Sequence, residues 1–220
     1  GQVKIADLDG NGFIDPGNFA VDDHGDLRII GNQSPRYRYG VNLSARWNGI
    51  GLSVFLQGVG ARDWYPGSDA GMFWGKYGRP FFALIPSIHN YTDDMYSAER
   101  NNWDTAYWPR MTTYQSNGTK NWTRLLEIPN TRYIQSAAYL RVKNIQLDYS
   151  FPKHICSAIR LQGLKIYVNA ENLFTFTPLH KYAPNFDPEG LSYDSDFASA
   201  ADGYTYPILK SVTVGVNITF

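Results

Sequence analysis

The last ten residues, "SVTVGVNITF", put Val212, Val214, Val216, Ile218 and Phe220 on one side of the chain and Thr213, Gly215, Asn217 and Thr219 on the other. A strict period of two is the mark of an extended strand with one apolar and one polar face. The pattern recurs in "YRYGVNLSARW", where Tyr37, Tyr39, Val41, Leu43, Ala45 and Trp47 alternate with Arg38, Gly40, Asn42, Ser44 and Arg46. Asn48-Gly49 follows, a two-residue hairpin signal, and "IGLSVFLQG" resumes the alternation with Ile50, Leu52, Val54 and Leu56. The first two strands are thus predicted to be antiparallel neighbours. In "YLRVKNIQLDYSFP" the set Ile145, Leu147, Tyr149 and Phe151 is out of phase with Leu140 and Val142, and a bulge near Lys143 or Asn144 reconciles them. "LKIYVNAENLFTF" sets Leu164, Ile166, Val168 and Ala170 against Lys165, Tyr167, Asn169 and Glu171, making five strands in all.

The connections alternate between short and very long. Asn48-Gly49 and about ten residues around Pro152 to Gly163 are the short ones, whereas residues 60 to 138 and 177 to 209 form the long ones. Short turns at one end and long loops at the other describe an outer-membrane barrel. Strands near ten residues suit a tilted bilayer crossing. Aromatics at the ends of the apolar faces (Tyr37, Tyr39 and Trp47; Tyr149 and Phe151; Phe174 and Phe176) sit where interfacial girdles would lie. A soluble β-sandwich would show the same alternation, so a calcium-stabilised carbohydrate-binding module of that kind is the competing reading. Five strands do not close a barrel with a passage. The chain, which starts at Gly1 without an initiator Met, is therefore expected to be part of a longer polypeptide.

Composition narrows the function classes. With 43% hydrophobic and 18% charged residues the chain is expected to fold. Its 20 basic and 20 acidic residues cancel, which argues against nucleic acid as the partner. Cys156 is the single cysteine, leaving no intramolecular disulfide and no cysteine-based zinc site. The four histidines lie far apart, and the loop carboxylates have no spacing that marks a catalytic pair, so no enzyme activity is expected.

Five stretches in order, "KIADLDGNGFID", "IGNQSPRYRYGVNLSARWNGIGLSVFLQGVGARDWY", "YLRVKNIQLDYSFP", "LKIYVNAENLFTFT" and "VTVGVNITF", resemble the C-terminal part of the SusC/RagA family of TonB-dependent outer-membrane transporters. The resemblance implies an all-β fold, with about five antiparallel strands of a large transmembrane β-barrel and long extracellular loops. Residues 1–35 would be an external loop, and 36–220 the strands and their loops. It implies a Gram-negative outer membrane and import of oligosaccharides or peptides. The implied partners are the remainder of the barrel, membrane lipid, a SusD-like surface lipoprotein, and TonB acting through an N-terminal part that is not in this chain.

Two candidate sites stand out. In "DLDGNGFIDPGN", Asp7, Asp9 and Asn11 have the spacing of the first side-chain ligands of a calcium loop; Phe13 offers a carbonyl and Asp15 a further oxygen. The usual twelfth-position Glu is replaced by Asn18, for which Asp22, Asp23 or Asp26 are substitutes; the alternative is a self-capped Asx-rich turn. The second site is the aromatic-rich long loop, where Trp64, Tyr65, Trp74, Tyr77, Trp103 and Trp108 are candidates for contact with substrate or with a lid.

Overall fold

The computed structural model describes residues 4–65, 96–107, 129–184, 186–191 and 208–220. Its elements are β1 (Arg36–Trp47), β2 (Ile50–Ala61), β3 (Asp63–Trp64), β4 (Gln135–Ser136), β5 (Tyr139–Ser150), helix α1 (Lys153–Ala158), β6 (Gly163–Phe176), a 3-10 turn (Pro178–Lys181) and β7 (Ser211–Thr219). The chain divides into two compact units, a sheet unit of Pro35–Arg62, Ala137–Pro178 and Pro207–Phe220 and a loop unit of Gly1–Ser34, Asp63–Ser136 and Leu179–Tyr206.

The sheet unit is a five-stranded antiparallel sheet in the order β1-β2-β5-β6-β7. Its long strands are the five expected from alternation. Asn48 (φ 47°) and Gly49 (φ 86°) are both left-handed, as a type I′ turn requires, and they set the register Trp47↔Ile50. Pairing across β2 and β5 jumps from Phe55↔Asn144 to Leu56↔Val142, so Lys143 is the extra residue of a bulge. The phase change in the sequence marks this place, because one extra residue moves every later side chain to the other face. Beside it, β6 absorbs Asn172 (φ 52°) and Leu173 between the pairs Asn144↔Glu171 and Val142↔Phe174.

Registers link the apolar positions into rows that cross the sheet. The central row is Leu43–Val54–Ile145–Ala170–Val212, followed by Ala45–Leu52–Leu147–Val168–Val214 and Trp47–Ile50–Tyr149–Ile166–Val216. Beyond the bulges, Val41–Leu56–Val142–Phe174 and Tyr39–Gly58–Leu140–Phe176 continue the same face. Aliphatic rows therefore lie between end rows that carry aromatic rings, Trp47 and Tyr149 at one end and Tyr39 and Phe176 at the other. At about 3.3 Å per residue, Tyr39 to Trp47 spans about 26 Å along the strand.

Between β5 and β6 the chain makes one short helix, α1, closed by a left-handed residue. Arg160 (φ 61°) donates its N–H to Ser157 O, and Leu161 N–H donates to Cys156 O. This pair of bonds is the Schellman motif, in which Gly usually occupies the position that Arg160 holds here. A side chain in that conformation costs about 1 kcal/mol.

Candidate functional site: a two-faced sheet and an acidic loop

The two faces of the sheet have opposite chemistry. On the apolar face large side chains are bare: Leu43 is 54% exposed, Leu147 53% and Val214 73%. Contiguous apolar surface on this scale marks a face that meets something other than water. The sandwich reading requires a second sheet over it; among the described residues the other sheet is the two-residue pair β3–β4.

On the opposite face the rows are polar: Ser44–Ser53–Gln146–Asn169–Thr213 and Arg46–Gly51–Asp148–Tyr167–Gly215. Asp148, only 6% exposed, takes Arg46 Nη2 at 2.7 Å and Lys165 Nζ at 3.4 Å on separate oxygens. Gly51 makes room for this triad: a Cβ there would sit 2.6 Å from Arg46 Nη2 and 2.7 Å from Asp148 Oδ1. Further across, Asn144 Nδ2 donates to Asn169 Oδ1 at 2.8 Å, Arg141 Nε to Thr175 Oγ1 at 2.8 Å, and Ser211 Oγ to Glu171 Oε2 at 3.2 Å. Asn144, Gln146, Lys165, Tyr167, Asn169, Thr213 and Asn217 line an open groove of about 330 Å³. Such a surface offers amide and hydroxyl hydrogen bonds with a few fixed charges, suited to wet, polar contents.

The loop unit has a core of its own. Trp64 is 2% exposed and packs on Phe186 with ring centroids 5.2 Å apart. Tyr65 is 4% exposed and accepts a hydrogen bond from Asn130 Nδ2 at 2.9 Å. Tyr107 stacks on Tyr182 at 3.8 Å and meets Tyr133 edge-on at 5.6 Å, while the Arg132 guanidinium lies 5.4 Å from the Tyr107 ring centre. Burial disfavours the phenolate, so it raises the pKa of Tyr65 and Tyr107 and pushes that of Tyr133 up to about 12. A phenol whose folded-state pKa is raised stabilises fully below the unfolded value near 10 and loses that contribution as pH climbs from about 10 to 12. Protease resistance of residues 129–137 in the full-length protein is accordingly expected to fall across that window. Tyr133→Phe should move the fall to higher pH.

Of the aromatic candidates, Trp64 and Tyr65 are therefore core residues of this unit, while Trp103, 73% exposed, presents its ring to solvent. Trp74, Tyr77 and Trp108 lie outside the described residues. Aromatic residue type predicts burial and contact equally, so the sequence does not separate these roles.

The acidic loop is held by its own backbone. Asp7 accepts from Gly10 N at 2.7 Å and Gly12 N at 2.9 Å, and the Gly12 bond is the main cause that holds its carboxyl below the usual range. Asp9 accepts from Asn11 N at 3.0 Å, and Asn11 Oδ1 accepts from Phe13 N at 2.7 Å. Asp26 accepts from Leu8 N and from Asp15 N, folding the segment back on itself. One carboxylate oxygen from each of Asp7, Asp9 and Asp26 lies within 4.8 Å of the others. With calcium–oxygen bonds of about 2.3–2.6 Å, that spacing fits a single cation. Of the three substitutes for the missing Glu, Asp26 is the one in the cluster. Asp15 instead uses Oδ1 to accept from Gly17 N at 2.8 Å, and Phe13 exposes its ring.

Comparison with known proteins places this geometry. Over an alignment of 226 positions that takes in all of this 220-residue chain, it is 26% identical to TonB-dependent receptor P3 of Formosa agariphila; receptors P26 and P39 of the same organism are 22% identical over 100% of the chain and 24% over 93%. The chain is similar along its whole length to TonB-dependent receptors. No protein-family model matches it. The chain spans 18–20% of the length of these curated receptors. In fold it matches the RagAB peptide importer in the open-open state, with TM-score 0.54, 20% identity, 93% of this chain and 20% of that one. The RagAB peptide transporter gives TM-score 0.55 at 19% identity, covering 88% of this chain and 18% of that one. The fold shared with these structures is an antiparallel sheet; among the described residues no helix is long and apolar enough to cross a membrane.

Proposed function

We propose that this chain is the C-terminal wall segment of a TonB-dependent transporter barrel in the outer membrane of a Gram-negative bacterium. The carrying observation is the pairing of bare apolar rows on one face with an ion-paired, amide-rich face on the other. Lipid covers the first, and the second lines the wet interior with Arg38, Arg46, Arg141, Lys165 and Glu171. Twelve-residue strands such as β1, β2 and β5 are long enough for a tilted crossing. The whole protein imports oligosaccharides or peptides, with a SusD-like lipoprotein at the surface and energy from TonB. The peptide-importer function named for RagAB favours the peptide branch. Uptake of labelled oligopeptides by cells carrying the full-length gene and its neighbouring lipoprotein gene, against cells lacking either, tests this. Equal uptake in the deletion strains sinks it.

A second reading concerns the acidic loop. We infer that Asp7, Asp9 and Asp26, with Asn11, hold one calcium ion that fastens residues 7–26. Asp9→Ala is expected to abolish the rise in melting temperature that calcium gives the full-length protein. Identical calcium responses of the two proteins would leave only a self-capped turn.

A further inference from the structure

The apolar face accounts for the strands but not for α1, the turn that joins β5 to β6. Its sole buried side chain is Cys156, whose thiol lies 3.7 Å from Phe151 O; every other residue from Lys153 to Arg160 is exposed. Ile155 on α1 and Ile159, the residue that caps its C-terminus, are 40% and 54% exposed. Lys153, His154 and Arg160, all exposed, flank them in sequence. From Tyr149 to Ala170 the sequence contains no acidic residue. No hydrogen bond or ion pair engages the side chains of Lys153, His154 or Arg160 among the described residues.

The position of α1 adds to this. It follows directly on Tyr149 and Phe151, whose rings meet edge-on at 5.0 Å at the end of the apolar face. Ser150 N–H donates to Gly49 O, so the β1–β2 hairpin and α1 lie at the same end of the sheet. Arg160 keeps a long cationic side chain at a left-handed position where Gly is at ease, which points to a use for the charge.

Resting on the barrel reading above, we propose that α1 is an interfacial anchor for anionic phospholipid. Ile155 and Ile159 continue the lipid-facing surface past the aromatic row into the edge of the hydrocarbon. Lys153 and Arg160 bind the headgroup phosphates above them. Exposed aliphatic and basic side chains together, directly following an aromatic row along the chain, are the amphipathic combination that seats a segment in a negatively charged interface.

The test uses the full-length receptor, Cys156→Ser, carrying a single spin label at Ile159→Cys, Val214→Cys or Trp103→Cys. Each is reconstituted in phosphatidylcholine vesicles with or without phosphatidylglycerol. Collision with oxygen reports lipid, and collision with nickel ethylenediamine diacetate reports water. Oxygen is expected to dominate at 214 and at 159, and nickel at 103. Phosphatidylglycerol should raise the oxygen-to-nickel ratio at 159, and Lys153→Gln with Arg160→Gln should remove that rise while leaving 214 unchanged. Nickel dominance at 159 with oxygen dominance at 214 overturns the anchor and leaves the barrel standing; nickel dominance at both overturns the barrel. Shielding of 159 from both reagents means a protein surface covers α1, and indifference to phosphatidylglycerol overturns headgroup binding.

Discussion

Ile145→Arg is expected to lower the unfolding free energy of the full-length receptor in bilayers by about 2–4 kcal/mol, and Gln146→Arg, one residue further on, by less than about 1. Ile145 belongs to the central apolar row, between Val54 and Ala170, so on the proposed barrel reading a guanidinium there falls near the middle of the hydrocarbon. Gln146 lies opposite Ser53 and Asn169 and lines the polar groove, where a further cation remains hydrated. Adjacent positions with the same new side chain share strand propensity and backbone context, so the difference between them isolates the environment of each face. Urea unfolding in lipid vesicles reads it. Equal costs at the two positions would mean that both faces meet the same medium.

The second large effect belongs to the loop unit. Trp64→Ala is expected to destabilise that unit by about 3–5 kcal/mol, the range for emptying a buried Trp site. Trp64 is 2% exposed and packs on Phe186, and the next residue, Tyr65, is 4% exposed. Trp103→Ala, at a ring 73% exposed, should stay within about 0.5 kcal/mol. Hydrogen exchange of residues 129–137 and 179–191 in the intact protein checks both. Protection unchanged by Trp64→Ala would show that this core does not hold the unit together.

The parts legible in the sequence are those governed by parity. Period-two alternation marks the five long strands, Asn48-Gly49 sets the first hairpin, and the phase change at Lys143 marks a bulge. The irregularity at Asn172 is silent for the same reason. It absorbs two residues, so Phe174 and Phe176 keep the parity of Val168 and Ala170 and the pattern reads straight through. The loop unit is equally hidden, because it is assembled from residues 1–34, 63–136 and 179–206, and pairs such as Trp64 with Phe186 leave no periodic trace. At the acidic loop, the spacing names Asp7 and Asp9, while Asp26 joins them only through a fold-back that Leu8 and Asp15 close with hydrogen bonds to its carboxylate. Helix α1, six residues long, is too short for a helical period to show.

The claim that one face of this sheet meets lipid and the other water is tested most directly by a cysteine walk along β6. In the full-length receptor with Cys156→Ser, single cysteines at residues 165 to 170 would be exposed to a membrane-impermeant maleimide in lipid vesicles. Modification is expected at Lys165→Cys, Tyr167→Cys and Asn169→Cys, and protection at Ile166→Cys, Val168→Cys and Ala170→Cys. Equal labelling at the even and odd positions would contradict the account.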